Sequence, residues 1–96
     1  MQVGKNKEDN HRLLLAAEPN DWWVHASEYP SAHGWIKSAR FPAKTAKQLC
    51  RSIKERSTRL KSMKRVSFDV TKRKHLTQTS NPGEVEVQKV LRVLYI

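Results

Sequence analysis

The sequence is poor in the features that mark secreted and membrane proteins. Its single cysteine, Cys50, cannot form a disulfide within the chain, so nothing indicates an oxidising compartment. No segment approaches the roughly 18 apolar residues of a membrane-spanning helix, and residues 1–12 lack the apolar run of a signal peptide. We therefore expect a cytoplasmic protein with no membrane partner.

Motifs for metals, nucleotides and catalysis are also missing. The histidines (His11, His25, His33 and His75) do not show the spacing of a metal site, and no CxxC is present. Neither GxxxxGK nor GxGxxG occurs, so nucleotide hydrolysis is not supported. Cys50 falls on an apolar helix stripe, which favours a small buried side chain over a nucleophile. We expect no cofactor, no metal, and a binding protein rather than an enzyme.

Acidic residues are scarce in the centre of the chain. Between Lys37 and Lys74 there are fourteen Lys and Arg, opposed only by Glu55 and Asp69, so this stretch carries a net charge of +12. The remainder has five basic and seven acidic residues, and the whole chain has a formal charge of +10. Solubility alone does not require such concentration. The pattern therefore predicts a surface for binding polyanions.

The composition fits a single small folded domain. The chain has 96 residues, of which 38% are hydrophobic and 29% charged, which allows a modest core and is unlike a fully disordered protein. The start of the chain is polar and mixed in charge. We expect residues 1–10 to form a polar N-terminal arm and residues 11–96 to form one α+β domain.

The clearest predicted element is a long helix from about Ala43 to Met63. Its apolar residues recur along one stripe at about 100° per residue; they are Ala46, Leu49, Cys50, Ile53, Leu60 and Met63. Lysines and arginines line the adjacent face, and no Gly or Pro interrupts the run. The pattern therefore predicts one basic amphipathic helix.

Strands are predicted on both sides of this helix. The segment 66–71 alternates apolar and polar residues, which indicates one buried face, and it continues into a basic strand end at 72–74. Apolar residues occupy both faces of 85–96, which predicts a central or covered strand. Residues 13–17 read as a strand or a helical turn, and they make a plausible hairpin with 22–26. The expected fold is a small antiparallel sheet of about four strands, in ββαββ order, packed by the helix.

The predicted nucleic-acid-binding residues lie on the helix and at the basic strand end. Phosphates need several cations on a shared surface, and a helix with Lys or Arg every three to four residues supplies them. The candidates are Lys44, Lys47, Arg51, Lys54, Arg59, Lys61, Lys64, Arg65, Lys72, Arg73 and Lys74.

Three tryptophans precede the helix. Trp22 and Trp23 are adjacent in a predicted strand, so their side chains point to opposite faces of the sheet. One of them is therefore a candidate for an exposed ring that stacks on a base or enters a partner's pocket, as is Trp35. The competing interpretation is that the tryptophans form the core of a small domain.

These patterns support three functions. The first is a nucleic-acid-binding accessory protein acting on DNA or RNA through the cationic helix face and strand end. The alternative is a small protein of the phage or mobile-element type that binds and modulates or inhibits a larger, acidic or nucleic-acid-processing host protein, such as a DNA-processing helicase–nuclease. A minor alternative is a metal-independent ribonuclease, using His75 or the pair His25 and His33.

Overall fold

The computed structural model describes all 96 residues as two α-helices, seven strands and one 3₁₀ turn. The elements are β1 (Gln2–Val3), α1 (Lys7–Ala16), β2 (Trp22–Ala26), β3 (Gly34–Ile36), α2 (Ala43–Arg56), β4 (Ser67–Lys72), the 3₁₀ turn (Arg73–His75), β5 (Leu76–Gln78), β6 (Val85–Val87) and β7 (Arg92–Tyr95). The expected α+β class with a small antiparallel sheet is confirmed, but the ββαββ order is wrong.

Five of the strands form one antiparallel sheet in the order β1-β3-β2-β4-β7, and β5 and β6 pair separately as a hairpin. β2 is the central strand, with β3 on one side and β4 on the other. Since side chains alternate along a strand, β2 sends successive residues to opposite faces of the sheet. Each face is covered by its own helix.

The two faces carry separate hydrophobic clusters. On one face α2 packs through Ala46, Leu49, Cys50 and Ile53 in a cluster of twelve buried residues that also contains Trp22, Val24 and Ala26 from β2. On the other face α1 and the β5–β6 hairpin cover a second cluster of five buried residues; they are Leu13, Leu14, Trp23, Trp35 and Leu76. We call these the α2 side and the α1 side of the sheet.

α2 is shorter than expected, because it ends at Arg56 rather than near Met63. Ser57 is in an extended conformation, and its hydroxyl oxygen accepts a hydrogen bond from the backbone N–H of Leu60 at 3.1 Å. Serine competes with helical hydrogen bonding in this way. Leu60 is still fully buried, so the apolar stripe continues into the core after the helix has ended.

The N-terminal residues form part of the fold rather than a separate arm. Residues 1–10 contain β1, which pairs with β3, and the first turn of α1. The side chain of Asn6 caps α1 by accepting from the backbone N–H of Asp9 at 2.8 Å. The proposed hairpin between 13–17 and 22–26 is wrong, because residues 13–16 belong to this helix and β2 pairs with β3 and β4.

The C-terminal residues form two strands instead of one. β6 belongs to the hairpin with β5, whereas β7 is an edge strand of the main sheet. Between them the backbone N–H of Gln88 donates to the oxygen of His75, and that of Leu91 donates to Val70, so the chain passes from the hairpin to the sheet. The expected central or covered strand is therefore wrong, and Val93 and Tyr95 are exposed at the sheet edge.

We predict that Gly34→Ala destabilises the sheet–helix contact. A Cβ atom at Gly34 would lie 2.7 Å from a methyl of Leu49 and 2.7 Å from one of Val24, which is too close for carbon atoms. Overpacking of this kind costs about 1–3 kcal/mol of unfolding free energy, which urea denaturation measures. The cost should be smaller when the same change is made in a Leu49→Ala background. Equal costs in both backgrounds would contradict the close approach of α2.

Candidate functional site

The outer surface of α2 carries the cationic face predicted from the sequence. Lys44, Lys47 and Arg51 are exposed, and Lys54 is half-buried. At about 100° per residue, Lys44 and Arg51 lie opposite the apolar residues that pack on the sheet, and Lys47 and Lys54 lie beside them. None of them forms a salt bridge, because the ion pairs of the structure involve only Arg12 and Lys37. We call Lys44, Lys47, Arg51 and Lys54 the cationic face.

Lys54 differs from the other three because its ammonium group is already engaged. Its Nζ donates to the backbone oxygen of Ile96 at 2.9 Å and to that of Lys64 at 3.5 Å. It therefore ties the end of α2 to the segments beside β4 and β7. Lys44, Lys47 and Arg51 are the members of the cationic face whose charges stay free.

The segment after α2 adds four exposed cations, which we call the basic loop; they are Arg59, Lys61, Lys64 and Arg65. Two of them lie over aromatic rings. The Arg59 guanidinium carbon is 5.1 Å from the ring centre of Tyr29, and that of Arg65 is 5.6 Å from the ring centre of Tyr95. Such cation–π contacts position a guanidinium without neutralising it. Tyr95 lies across from Ser67, on the α1 side of the sheet.

Two further cations lie at the opposite end of the sheet, on the α2 side. The Lys72 Nζ is 5.0 Å from the ring centre of Trp22, and the Arg92 guanidinium carbon is 4.3 Å from that of Phe41. The two rings contact each other edge to face at 5.4 Å. Arg92 was not predicted as a site residue. The register that pairs it with Val70, two residues from Lys72, brings the two cations to the same face.

Arg73 and Lys74 are separated from this surface. The chain leaves the strand at Lys72, so the expected basic strand end becomes a 3₁₀ turn. The Arg73 side chain donates from Nε to the oxygen of Leu14 and from Nη1 to that of Leu76, both at 3.1 Å. Arg73 therefore links α1 to β5, and its guanidinium is already engaged in these two hydrogen bonds. Lys74 is exposed on the turn.

The tryptophans do not provide an exposed ring. Trp22, Trp23 and Trp35 are 6%, 2% and 5% exposed, so the expectation of a free stacking surface is wrong and the core interpretation holds. The expectation that Trp22 and Trp23 face opposite sides of the sheet is confirmed, because they belong to different clusters.

The α1 side of the sheet contains a histidine-lined cavity of about 770 Å³. The rings of Trp23 and His25 are stacked with centroids 5.4 Å apart and planes 5° apart. His33 is perpendicular to both rings, at 5.5 Å from Trp23 and 5.0 Å from His25. Asp69 pairs with His25 across the strands, and it accepts a hydrogen bond from the Ser27 hydroxyl at 2.7 Å. We call this the histidine cavity.

Burial keeps the cavity histidines neutral near pH 7. It lowers the pKa of His33 from 6.5 to about 4, helped by the neighbouring His25, and it also lowers the pKa of His25. A ribonuclease pair needs one protonated imidazole at its working pH, and the lowered pKa values of both histidines disfavour that form near pH 7. His75 is not among the residues that line the cavity. The geometry therefore gives the ribonuclease interpretation no support.

Cys50 is fully buried, and burial raises the pKa of its thiol to about 12. No group of three or more His, Cys, Asp or Glu side chains is arranged to hold a metal ion. Neither helix has the length and apolar character needed to span a bilayer.

Comparison with known proteins identifies the fold. No family model matches the chain, and no curated protein matches it. Among solved structures, it is similar to the C-terminal part of the fibronectin/fibrinogen-binding protein from Streptococcus suis, with a TM-score of 0.84 and 21% sequence identity. The match covers 98% of this chain and 39% of the streptococcal one. The two share a fold.

We predict that acid destabilises the protein through its buried histidines. Because the pKa of His33 in the folded state, about 4, lies below its ordinary 6.5, the unfolded chain takes up the proton first as the pH falls. The contribution of His33 to the unfolding free energy is therefore full above pH 6.5 and falls as the pH drops from 6.5 to about 4. Between pH 6.5 and pH 5 we expect a loss of roughly 1–2 kcal/mol of unfolding free energy, measured by urea denaturation at each pH.

The variant His33→Phe provides the comparison, since it removes the titrating group and keeps a ring at the site. Its unfolding free energy should depend less on pH over the same interval, whatever its absolute stability. An unchanged dependence, or an NMR titration that places the His33 pKa at 6.5 or above, would contradict the assignment.

Proposed function

We propose that the protein binds the phosphate backbone of nucleic acid through the cationic face, assisted by Lys72 and Arg92. The observation that carries the proposal is that Lys44, Lys47 and Arg51 are exposed on one helix surface without a single carboxylate partner. A nucleic-acid backbone is the polyanion whose regularly spaced charges suit such a row, because each phosphate contact releases counterions.

The start of α2 supports the same proposal. Phe41 and Pro42 lead into the helix, and its first turn has neither a capping side chain nor an acidic residue. Free backbone N–H groups and the helix dipole make such an end positive. Lys72 and Arg92 lie over the Trp22 and Phe41 rings beside it. Contacts of this kind address phosphates and carry no sequence information, so they serve DNA and RNA alike.

Reversing the free charges of the cationic face tests the proposal. For Lys44→Glu/Lys47→Glu/Arg51→Glu we expect the affinity for a short duplex to fall by at least about 100-fold, measured by fluorescence anisotropy. The slope of log affinity against log salt should fall by about 3, since each phosphate contact contributes about 0.9.

The matched control is Lys5→Glu/Lys7→Glu/Lys89→Glu, which changes the net charge equally at exposed residues outside the cationic face. It should retain most of the affinity and nearly the full salt slope. Equal losses in both triple variants would show that only total charge matters. Unchanged binding in the α2 variant would refute the proposal.

A second candidate function is docking on a larger protein. The structural neighbour is named for binding proteins, fibronectin and fibrinogen, rather than for catalysis. In this chain the edge strand β7 exposes Val93 and Tyr95 by 43% and 61%, and an exposed edge can pair with a strand of a partner. Such a partner would make the protein a modulator or inhibitor of the phage or mobile-element type, and a cytoplasmic location fits both candidates.

The variant Val93→Lys separates this candidate from the first. A charge on the sheet edge blocks strand pairing, so a stoichiometric partner recovered from nuclease-treated lysate should be lost, while duplex affinity is unchanged. Recovery of the same partner by the variant would contradict docking at β7. Loss of all partners after nuclease treatment would leave nucleic acid as the ligand.

A further inference from the structure

Two residues that line the histidine cavity each carry a buried ring nitrogen without a hydrogen-bond partner. Trp23 and His33 line the cavity and are 2% and 6% exposed, yet the Nε1 of Trp23 and the Nδ1 of His33 are both unpaired. Buried polar groups are nearly always hydrogen-bonded, and leaving one unpaired is costly. A ligand that entered the cavity and reached these nitrogens would give them the partners they lack.

The shape of the cavity wall suits a flat ring. Trp23 and His25 lie in parallel planes, and His33 stands perpendicular to them. Because Trp23 is 2% exposed, the stacking face available to a ligand is that of the half-buried His25. Proteins recognise unpaired bases by stacking them on aromatic rings and hydrogen-bonding their edges.

The charge of the cavity excludes a phosphate from its interior. Glu8, Asp69 and Glu84 line it against a single cation, Lys7. Both histidines are neutral near pH 7, so the cavity is acidic within a chain of charge +10. Carboxylates only accept hydrogen bonds. The cavity therefore disfavours an anion and suits a ligand that presents N–H donors, as the exocyclic amine of adenine, cytosine or guanine does.

The basic loop contributes a cation on the same side of the sheet as this cavity. Arg65 lies over Tyr95, on the same side of the sheet as His25 and Asp69. Arg59 lies over Tyr29, which directly precedes a cavity-lining residue in the chain. Arg65 is therefore the basic-loop cation on the cavity's side of the sheet, whereas Tyr29 beneath Arg59 packs with the α2-side cluster.

We propose that the histidine cavity receives one unpaired nucleobase carrying an exocyclic amine, from a single strand whose backbone is held by the basic loop. The inference rests on the proposed function, because the base belongs to the nucleic acid whose backbone the cationic face binds. The amine donates to Asp69, whose second carboxylate oxygen is not engaged by Ser27. A ring nitrogen or carbonyl of the base accepts from Trp23 Nε1.

Nucleosides test the cavity separately from the cationic face, because they carry no phosphate. Titration of the full chain with cytidine or adenosine should shift the indole N–H signal of Trp23 and the ring signals of His25 and His33 in NMR spectra, and uridine should bind at least about tenfold more weakly. Trp23→Phe keeps a ring and removes the donor, so cytidine affinity should fall about 5- to 10-fold.

Trp35→Phe is the matched control. Its Nε1 is equally buried and unpaired, but Trp35 does not line the histidine cavity, so cytidine affinity should be unchanged. Asp69→Asn retains an oxygen acceptor for Ser27 and removes the charge. It should abolish the preference for cytidine over uridine while leaving uridine binding as it was.

The outcomes separate the two proposals. Cytidine binding at the cavity together with unaltered duplex binding by the α2 charge-reversal variant supports the cavity and refutes the proposed function. Absence of shifts with every nucleoside, or equal shifts with cytidine and uridine, overturns the cavity proposal and leaves duplex binding as a separate result. Shifts caused by agmatine and not by nucleosides also overturn it, in favour of a guanidinium from a protein partner.

Discussion

The alternation of side chains along β2, the central strand, is the constraint on which the rest of the structure depends. Trp22 points to the α2 side and Trp23 to the α1 side, so each anchors a different core cluster. The same alternation places His25 with Trp23, beneath the cavity and away from α2. The central strand β2 therefore lies between the cationic face and the histidine cavity. The carboxylates of the cavity make it acidic, and its histidines are neutral near pH 7.

The four positively charged side chains of the cationic face repel one another along α2. Lys44, Lys47, Arg51 and Lys54 follow one another at three- and four-residue spacing, where like charges weaken a helix by a few tenths of a kcal/mol per pair. The burial of Leu49, Cys50 and Ile53 on the sheet offsets this cost, since tertiary packing holds most protein helices. Glu55, four residues after Arg51, offsets part of this repulsion, and the outer surface of α2 keeps a net positive charge, in agreement with the proposed function.

Patterns confined to one element could be predicted from the sequence, and contacts between distant elements could not. The apolar stripe of α2 and the opposite orientations of Trp22 and Trp23 follow from local periodicity. Asn6 followed three residues later by Asp9 is a helix-start signal that agrees with α1, whereas the polar composition around it predicts an arm. The apolar residues of 85–96 predicted one strand, because periodicity does not show that 88–91 crosses between two sheets. The histidine cavity is assembled from α1, β2, the loop 30–33, β4 and the β5–β6 hairpin, so no local pattern revealed it.

NMR mapping with two oligonucleotides of equal length tests the central claim that the sheet separates two nucleic-acid-binding surfaces. A duplex has no unpaired base, so it should shift the signals of Lys44, Lys47 and Arg51 and leave the Trp23 indole unchanged. A cytosine-containing single strand should shift both sets. Shifts at Trp23 with the duplex, or their absence with the single strand, would contradict the account.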